Sequence, residues 1–208
     1  MQDIFTKLFE QSYDTVMSTP ERSFLQSERK RLLNCLRGEI LEIGSGTGVN
    51  FPFYQSECNV TALEPSAELA GKASEKFFQN NDSIQAKINI VQAGLGESPW
   101  DDSHKNASYD AIVCTLVLCT IPDPQSALSL FKKWLKPNGS LIILEHVQAK
   151  NPIAQISQYI LNPVWNTLAG GCNLHRPTAQ YIREAGFKPV ELRELQFVLP
   201  FISAVYSV

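Results

Sequence analysis

A doubly wound α/β sheet is the fold class this sequence predicts, and three observations predict it. Short apolar runs alternate along the chain with segments of helical character. The runs are rich in Ile, Val and Leu and apolar on both faces at their centres, as strands covered on both sides are. The first run feeds a glycine-rich turn that opens a helix, the usual start of a ligand site in such sheets.

The elements follow in order. Residues 1–38 read as helical, with Leu32, Leu33 and Leu36 packing on the sheet. The apolar runs are Glu39–Ile43, Asn59–Leu63, Lys87–Ala93, Tyr109–Cys114 and Ser140–Glu145, each short enough for a strand. Between the second and third, Pro65-Ser66 opens a helix with Leu69, Ala73 and Phe77 on one stripe. Pro124 opens another, whose stripe is Ala127, Leu128, Phe131, Trp134 and Leu135 and which stops at Lys136-Pro137-Asn138-Gly139. Asn151–Ala169 reads as a helix broken by Pro163, and Pro177–Ala185 as a short helix with Gly186 at its cap. Lys188–Leu195 and Phe201–Val208 are β-like, and five residues between them predict an antiparallel hairpin at one sheet edge.

Composition narrows the function classes. The chain has 208 residues, a formal charge of −3 and 44% hydrophobic residues, so one domain with a proper core is expected. The mild acidity argues against a dedicated nucleic-acid binder, and the densest basic cluster, Arg29-Lys30-Arg31, reads as a solvated helix face. The five cysteines, Cys35, Cys58, Cys114, Cys119 and Cys172, are scattered and without a C-x-x-C pair, which predicts reduced thiols and a cytoplasmic protein. Met1 to Asp14 lacks the plan of a signal peptide, and the longest apolar stretch, Ala111 to Ile121, falls short of the ~20 residues of a spanning helix. No integral membrane segment is expected; peripheral membrane contact and oligomeric state stay open. The three histidines show no i, i+4 spacing and no neighbouring cysteine pair, so no metal site is predicted.

The chemistry concentrates in Glu39-Ile40-Leu41-Glu42-Ile43-Gly44-Ser45-Gly46-Thr47-Gly48. Three glycines in five residues let a ligand approach the backbone with no Cβ in the way. The dinucleotide fingerprint G-x-G-x-x-G fails at its last position, where Val49 stands, which disfavours a nicotinamide-dependent oxidoreductase. A carboxylate at Glu42 suits a ligand bearing ammonium and sulfonium groups better than a pyrophosphate. Glu64 ends the second run, where a carboxylate accepts both hydroxyls of a ribose.

This set, E-x-G-x-G-x-G with an acidic residue closing the next strand, resembles the class I S-adenosylmethionine-dependent methyltransferases, and Leu135-Lys136-Pro137-Asn138-Gly139-Ser140-Leu141 resembles their turn into the fifth strand. The resemblance spans essentially the whole chain. It implies a Rossmann-like seven-stranded sheet of order 3-2-1-4-5-7-6 with the last strand antiparallel. It implies a single domain at 1–208, with a helical lid at 1–38, a cofactor core at 39–145 and substrate-side helices and the closing hairpin at 146–208. A narrower set is similar to the alkyl thiol methyltransferases: Asn50-Phe51, Phe53-Tyr54, Cys114-Thr115-Leu116-Val117-Leu118-Cys119, Glu145-His146-Val147, Pro163-Val164-Trp165 and Gly171-Cys172-Asn173-Leu174. Those relatives carry a hydrophobic amino-terminal anchor, and no such segment is expected from this sequence.

The resemblance implies S-adenosylmethionine as cofactor and a small-molecule methyl acceptor, with an alkyl thiol favoured. Quinone-type or other O-, N- or C-methyl transfer, and cofactor binding without turnover, are the alternatives. Carried over by position, Glu42, Gly44, Ser45, Gly46 and Gly48 hold the methionine end, with a polar contact from Asn50. Glu64 holds the ribose, with Pro65 against the adenine. Leu95 stands where many members have an adenine-reading Asp, and the backbone of Gly96 takes that place; Thr115 and Leu116 line the methionine side. Tyr13-Asp14 resembles the lid of some relatives, with a packing role for Tyr13 as the alternative. His146, just past the fifth strand, is the candidate base for the acceptor, against the alternative that it only bonds its own loop. Cys119 near the mouth reads as an inert buried thiol, with a place in the lining of an apolar acceptor pocket as the alternative, Asn173 and His175 as a non-catalytic roof over the acceptor, and His104 as a residue of an exposed loop. A nucleic-acid base methyltransferase is excluded because Thr115-Leu116-Val117-Leu118 replaces the amide-and-aromatic clamp after the fourth strand.

Overall fold

The computed structural model describes residues 24–80, 83–97, 100 and 106–208. Tyr13, Asp14 and His104 lie outside the described residues.

Seven strands form one sheet: β1 Gly38–Ile43, β2 Cys58–Leu63, β3 Lys87–Val91, β4 Tyr109–Thr115, β5 Leu135–His146, β6 Lys188–Gln196 and β7 Pro200–Ser207. Their order is β3-β2-β1-β4-β5-β7-β6. The pairs β3–β2, β2–β1, β1–β4 and β4–β5 are parallel, while β7 runs antiparallel to both β5 and β6. The order therefore reverses between β1 and β4, which opens a crevice at their carboxyl ends.

Helices α1 Gln26–Leu33, α2 Ala67–Gln79, α3 Pro124–Trp134, α4 Pro152–Leu168 and α5 Thr178–Glu184 complete the fold. Local chemistry starts three of them. The side chains of Ser66, Asp123 and Asn151 accept hydrogen bonds from the backbone N–H of Leu69, Ser126 and Ile153, satisfying donors that a helix start leaves open. The sheet separates two cores. Leu128, Phe131, Trp134, Ile182 and Phe187 fill one face. Leu32, Leu33, Phe51, Tyr54 and Ala73 fill the other.

Three expectations are corrected. Pro163 does not break its helix: α4 runs through it. Proline removes one donor, and the carbonyl it frees belongs to Tyr159, an exposed residue that water reaches. Helix α3 ends at Trp134, because Leu135 already pairs with Tyr109 in the sheet. Strand β3 is not covered on both sides; it is the sheet edge, and none of its residues is fully buried.

The outward face of α4 shows Ile153, Ile156, Tyr159, Ile160 and Val164 to solvent. No described helix is long and apolar enough to cross a membrane.

Phe131 is fully buried and Phe78 is 78% exposed. Phe131→Ala is expected to cost about 3–5 kcal/mol of unfolding free energy. Phe78→Ala should stay within about 0.5 kcal/mol of the parent. Urea denaturation of both variants checks the pair, and equal losses would contradict this assignment of the core.

Candidate active site

The glycine loop takes its shape from the carboxyl ends of β1 and β2. Gly44 has φ +64°, and a Cβ there would stand 2.3 Å from the Val117 side chain. Gly48 has φ +76°, and its Cβ would meet the Phe51 ring at 2.6 Å. Only glycine fits either position. Glu64 is buried and clamps the loop to the start of α2: Gly46 N–H donates to its Oε2 at 2.8 Å and Ser66 N–H to its Oε1 at 2.9 Å. Ser45 N–H bonds Leu63 O at 2.9 Å, while its Oγ is buried without a partner in the chain.

Beneath the loop lies a buried polar network. Arg29 Nη1 donates to Asn50 Oδ1 at 2.6 Å and Thr115 Oγ1 at 2.9 Å. Asn50 Nδ2 donates to Glu42 Oε1 at 2.8 Å and Thr115 Oγ1 at 3.0 Å, and Tyr54 OH donates to Glu42 Oε2 at 2.8 Å. Arg29 is 1% exposed, which overturns the reading of its basic cluster as a solvated face. Burial raises the Glu42 pKa to about 7, against the pull of Tyr54, Asn50 and Arg29, and the charge of Glu64 adds to the rise. Glu42, Asn50 and Thr115, expected at the ligand, are thus joined to one another.

A cavity of about 430 Å³ opens beside the loop, walled by Gly44, Leu63, Pro65, Leu95, Val117 and Ala127 among others. Gly44 and Pro65 were expected there. Gly96, with φ +74°, is not among its walls, whereas Gly94 and Glu97 are. Glu97 was missed; its carboxylate accepts from Gly94 N–H at 2.9 Å and so shapes this end.

After β4 the chain turns sharply at Leu116, a non-glycine residue at φ +57°. Glu145 holds that turn: its buried Oε2 accepts Val117 N–H at 3.0 Å and Leu118 N–H at 2.7 Å. Burial raises its pKa to about 7. The loop after α4 is fastened to the same turn. Asn173 donates to Cys119 O from both its backbone N–H and its side-chain amide at 3.0 Å, and Arg176 donates to Ile121 O at 2.6 Å and to Leu118 O. His175 faces Tyr159, ring centroids 5.5 Å apart.

That fastening creates the second half of the site. His146 is buried at the end of β5, its Nε2 3.0 Å from Cys172 Sγ, its ring edge-on to Phe201 and its Nδ1 without a partner. Cys119, His146 and Cys172 present ligating atoms that all lie within 4.8 Å of one another. The Cys119 S–H and then the His146 ring hold the Cys172 thiol far below its usual range. Burial pulls His146 down, but the neighbouring Cys172 and Glu145 outweigh it and its pKa is raised. Spacing along the chain gave no hint of this cluster, so the argument that excluded a metal site does not hold for the folded chain. Cys172 and Arg176 were missed because their partners lie on a different loop.

A seven-stranded sheet of this order with a glycine loop at its switch point defines the fold of the class I methyltransferases. The chain belongs to the methyltransferase domain family, whose model matches residues 19–192. It is 37% identical over 154 residues to thiol S-methyltransferase TMT1B of Rattus norvegicus, covering 74% of this chain and 61% of that protein. It is 30% identical over 188 residues to thiol S-methyltransferase TMT1B of Homo sapiens, covering 85% of this chain and 74% of the relative. The chain thus spans about three-fifths of the rat protein. Among solved structures, a SAM-dependent methyltransferase of Thermotoga maritima, described as a possible histamine N-methyltransferase, superposes with a TM-score of 0.68 at 19% identity, covering 100% of this chain and 99% of that one.

The Glu42 pKa lies near 7 in the folded chain against an ordinary 4.5, so the folded state holds the extra proton between those values. Stability should therefore fall as pH rises through that window, by at most about 1.4 kcal/mol per pH unit for this group. Glu42→Gln is expected to flatten that slope in urea denaturation series. An unchanged slope would show that Arg29 keeps Glu42 ionised throughout.

Proposed function

We propose that this chain is an S-adenosylmethionine-dependent methyltransferase acting on a small molecule, with an alkyl thiol as acceptor. The observation that carries the reading is the glycine loop clamped by Glu64 beside an apolar cavity, with a buried thiol–imidazole pair formed by His146 at the end of β5 and Cys172 in the loop after α4. The thiol assignment is supported by the names of the relatives and by the motifs shared with them. When bound, S-adenosylmethionine supplies a methyl group already activated on a sulfonium.

The residues present fit such a ligand. The walls at Pro65, Leu63 and Leu95 are apolar, as an adenine ring requires, and Ser45 Oγ is an unsatisfied buried hydroxyl at the loop. Glu64, oriented by two backbone donors, accepts the ribose hydroxyls. Gly44, Ser45, Gly46 and Gly48 admit the methionine end, and Glu42, Asn50 and Thr115 hold the loop from below. The turn at Leu116–Val117 and the stretch at Gly94, Leu95 and Glu97, rather than Gly96, border the two ends of the ligand. His146, at the end of β5, is the proposed base for the acceptor. Because the leaving group is already good, placing the acceptor in line is the chain's main contribution, an effect worth roughly 7–11 kcal/mol in favourable cases.

Three substitutions test the reading. Gly46→Val should abolish cofactor binding in calorimetric titration while the chain stays folded. Glu64→Ala removes charge-assisted bonds worth about 1.5–3 kcal/mol each, so affinity for S-adenosylmethionine should drop at least tenfold. His146→Ala should lower kcat/KM for an alkyl thiol by about 10²–10⁴ with cofactor affinity unchanged. Formation of S-adenosylhomocysteine against a panel of thiols, phenols and amines identifies the acceptor. Cofactor binding without turnover on any of them would make the chain a binding protein.

A further inference from the structure

We propose that Cys119, His146 and Cys172 form a site for one thiophilic divalent cation of the zinc type, whose fourth position takes the acceptor thiol; this deepens the thiol reading and rests on it. The site is assembled from three separate segments: the turn after β4, the end of β5 and the loop after α4. All three side chains are buried, and their ligating atoms lie within 4.8 Å of one another.

The donor set selects the ion. Two thiolates and one imidazole suit zinc and exclude magnesium or calcium, which take oxygen. Three protein ligands with one position open is the arrangement of catalytic zinc, not of structural zinc. One edge of the cluster has a defined length to compare with what an ion demands, and the others lie within 4.8 Å. With Zn–S near 2.3 Å and Zn–N near 2.0–2.1 Å, a tetrahedral site has S···N edges of about 3.5 Å and S···S edges of about 3.8 Å. The His146 Nε2–Cys172 Sγ distance of 3.0 Å has to open by only about half an ångström.

The ligands are also held as ligands are. His146 sits in the β5–β7 ladder opposite Phe201. The Cys119 carbonyl takes two hydrogen bonds from Asn173, and Cys172 N–H bonds Ala169 O at 3.1 Å. Beside the three ligating atoms, His146 Nδ1 is buried without a partner in the chain. Among the described residues the cluster is the one group with three such ligands in reach.

The chemistry follows. An acceptor R–SH entering the fourth position gives its proton to solvent and binds as a thiolate. A sulfur lone pair then attacks the methyl carbon, the S–C bond of the sulfonium breaks, and its electron pair stays on the departing sulfur. The product R–S–CH₃ is a neutral thioether, a weaker ligand than the thiolate, and leaves. In this state His146 serves the acceptor as a metal ligand and the ion replaces a base.

The test uses the full chain. Cobalt(II) added to the reduced, chelator-stripped protein should give thiolate-to-cobalt charge-transfer absorption and the visible bands of a tetrahedral ion. Both should be absent in the Cys119→Ser/Cys172→Ser variant, whose thermal unfolding reports that it is folded. Ethanethiol should strengthen the charge-transfer band as a third sulfur enters. Elemental analysis should find about one zinc per reloaded chain, and chelation should cut ethanethiol methylation by about 100-fold or more with S-adenosylmethionine affinity unchanged. Cobalt spectra without thiolate bands, or a Cys119–Cys172 disulfide that persists in reductant, overturn the site. Full turnover of ethanethiol by the metal-free chain overturns the ion's role and leaves methyl transfer standing. Metal binding with thiol entry but no methyl thioether overturns the methyltransferase reading instead.

Discussion

One buried arginine ties the working end of this molecule together. Arg29 reaches from α1 to Asn50 just past the glycine loop and to Thr115 at the end of β4, and Asn50 hands the chain of bonds on to Glu42 in β1. A guanidinium and a carboxylate held out of water are stable only while their hydrogen bonds are met, and removing one member of such a set typically costs about 3–5 kcal/mol. The loop therefore inherits its position from a helix outside the βαβ core. Tyr54 closes the set from the short 3₁₀ segment that follows the loop, so the loop is gripped on both flanks.

A second device joins the two halves of the crevice. The turn at Val117–Ile121 borders the cavity through Val117, Thr120 and Ile121, and it also carries Cys119. Glu145 fixes its amides and Arg176 its carbonyls. Leu116 at positive φ is a conformation that costs of order 1–3 kcal/mol, and it persists because these bonds over-determine it. Movement of the loop after α4 and movement of the cavity wall are consequently mechanically coupled.

How much of this was readable in the chain varies with the distance over which each signal is written. The strands announced themselves as contiguous apolar runs, and the glycine loop with Glu64 is two short segments that any βα unit brings together. Helix starts were equally legible, since Ser66, Asp123 and Asn151 bond amides two or three residues away. Arg29 was misread because a basic triplet looks the same whether one member turns inward or none does. The Cys119–His146–Cys172 cluster stayed hidden because each of its members comes from a different loop or strand end. Pro163 shows the opposite failure: a local rule that holds in a buried helix was relaxed where water reaches the freed carbonyl. Glu42, Asn50 and Thr115 were each read as ligand contacts, whereas their bonding to one another depends on a helix that no motif connects to them.

The position of β7 has a consequence for biosynthesis. It is made after every other strand, yet it lies between β5 and β6. At translation rates of about 5–20 residues per second, His146 waits roughly 3–11 s for Phe201, its neighbour in the ladder. During that interval one side of β5, with its Leu141-Ile142-Ile143-Leu144 run, is an unpaired apolar edge on the ribosome, open to the wrong strand. Yield of native chain should thus be governed by the fate of that nascent edge, which slower synthesis at lower temperature or a chaperone that covers extended apolar segments would shelter.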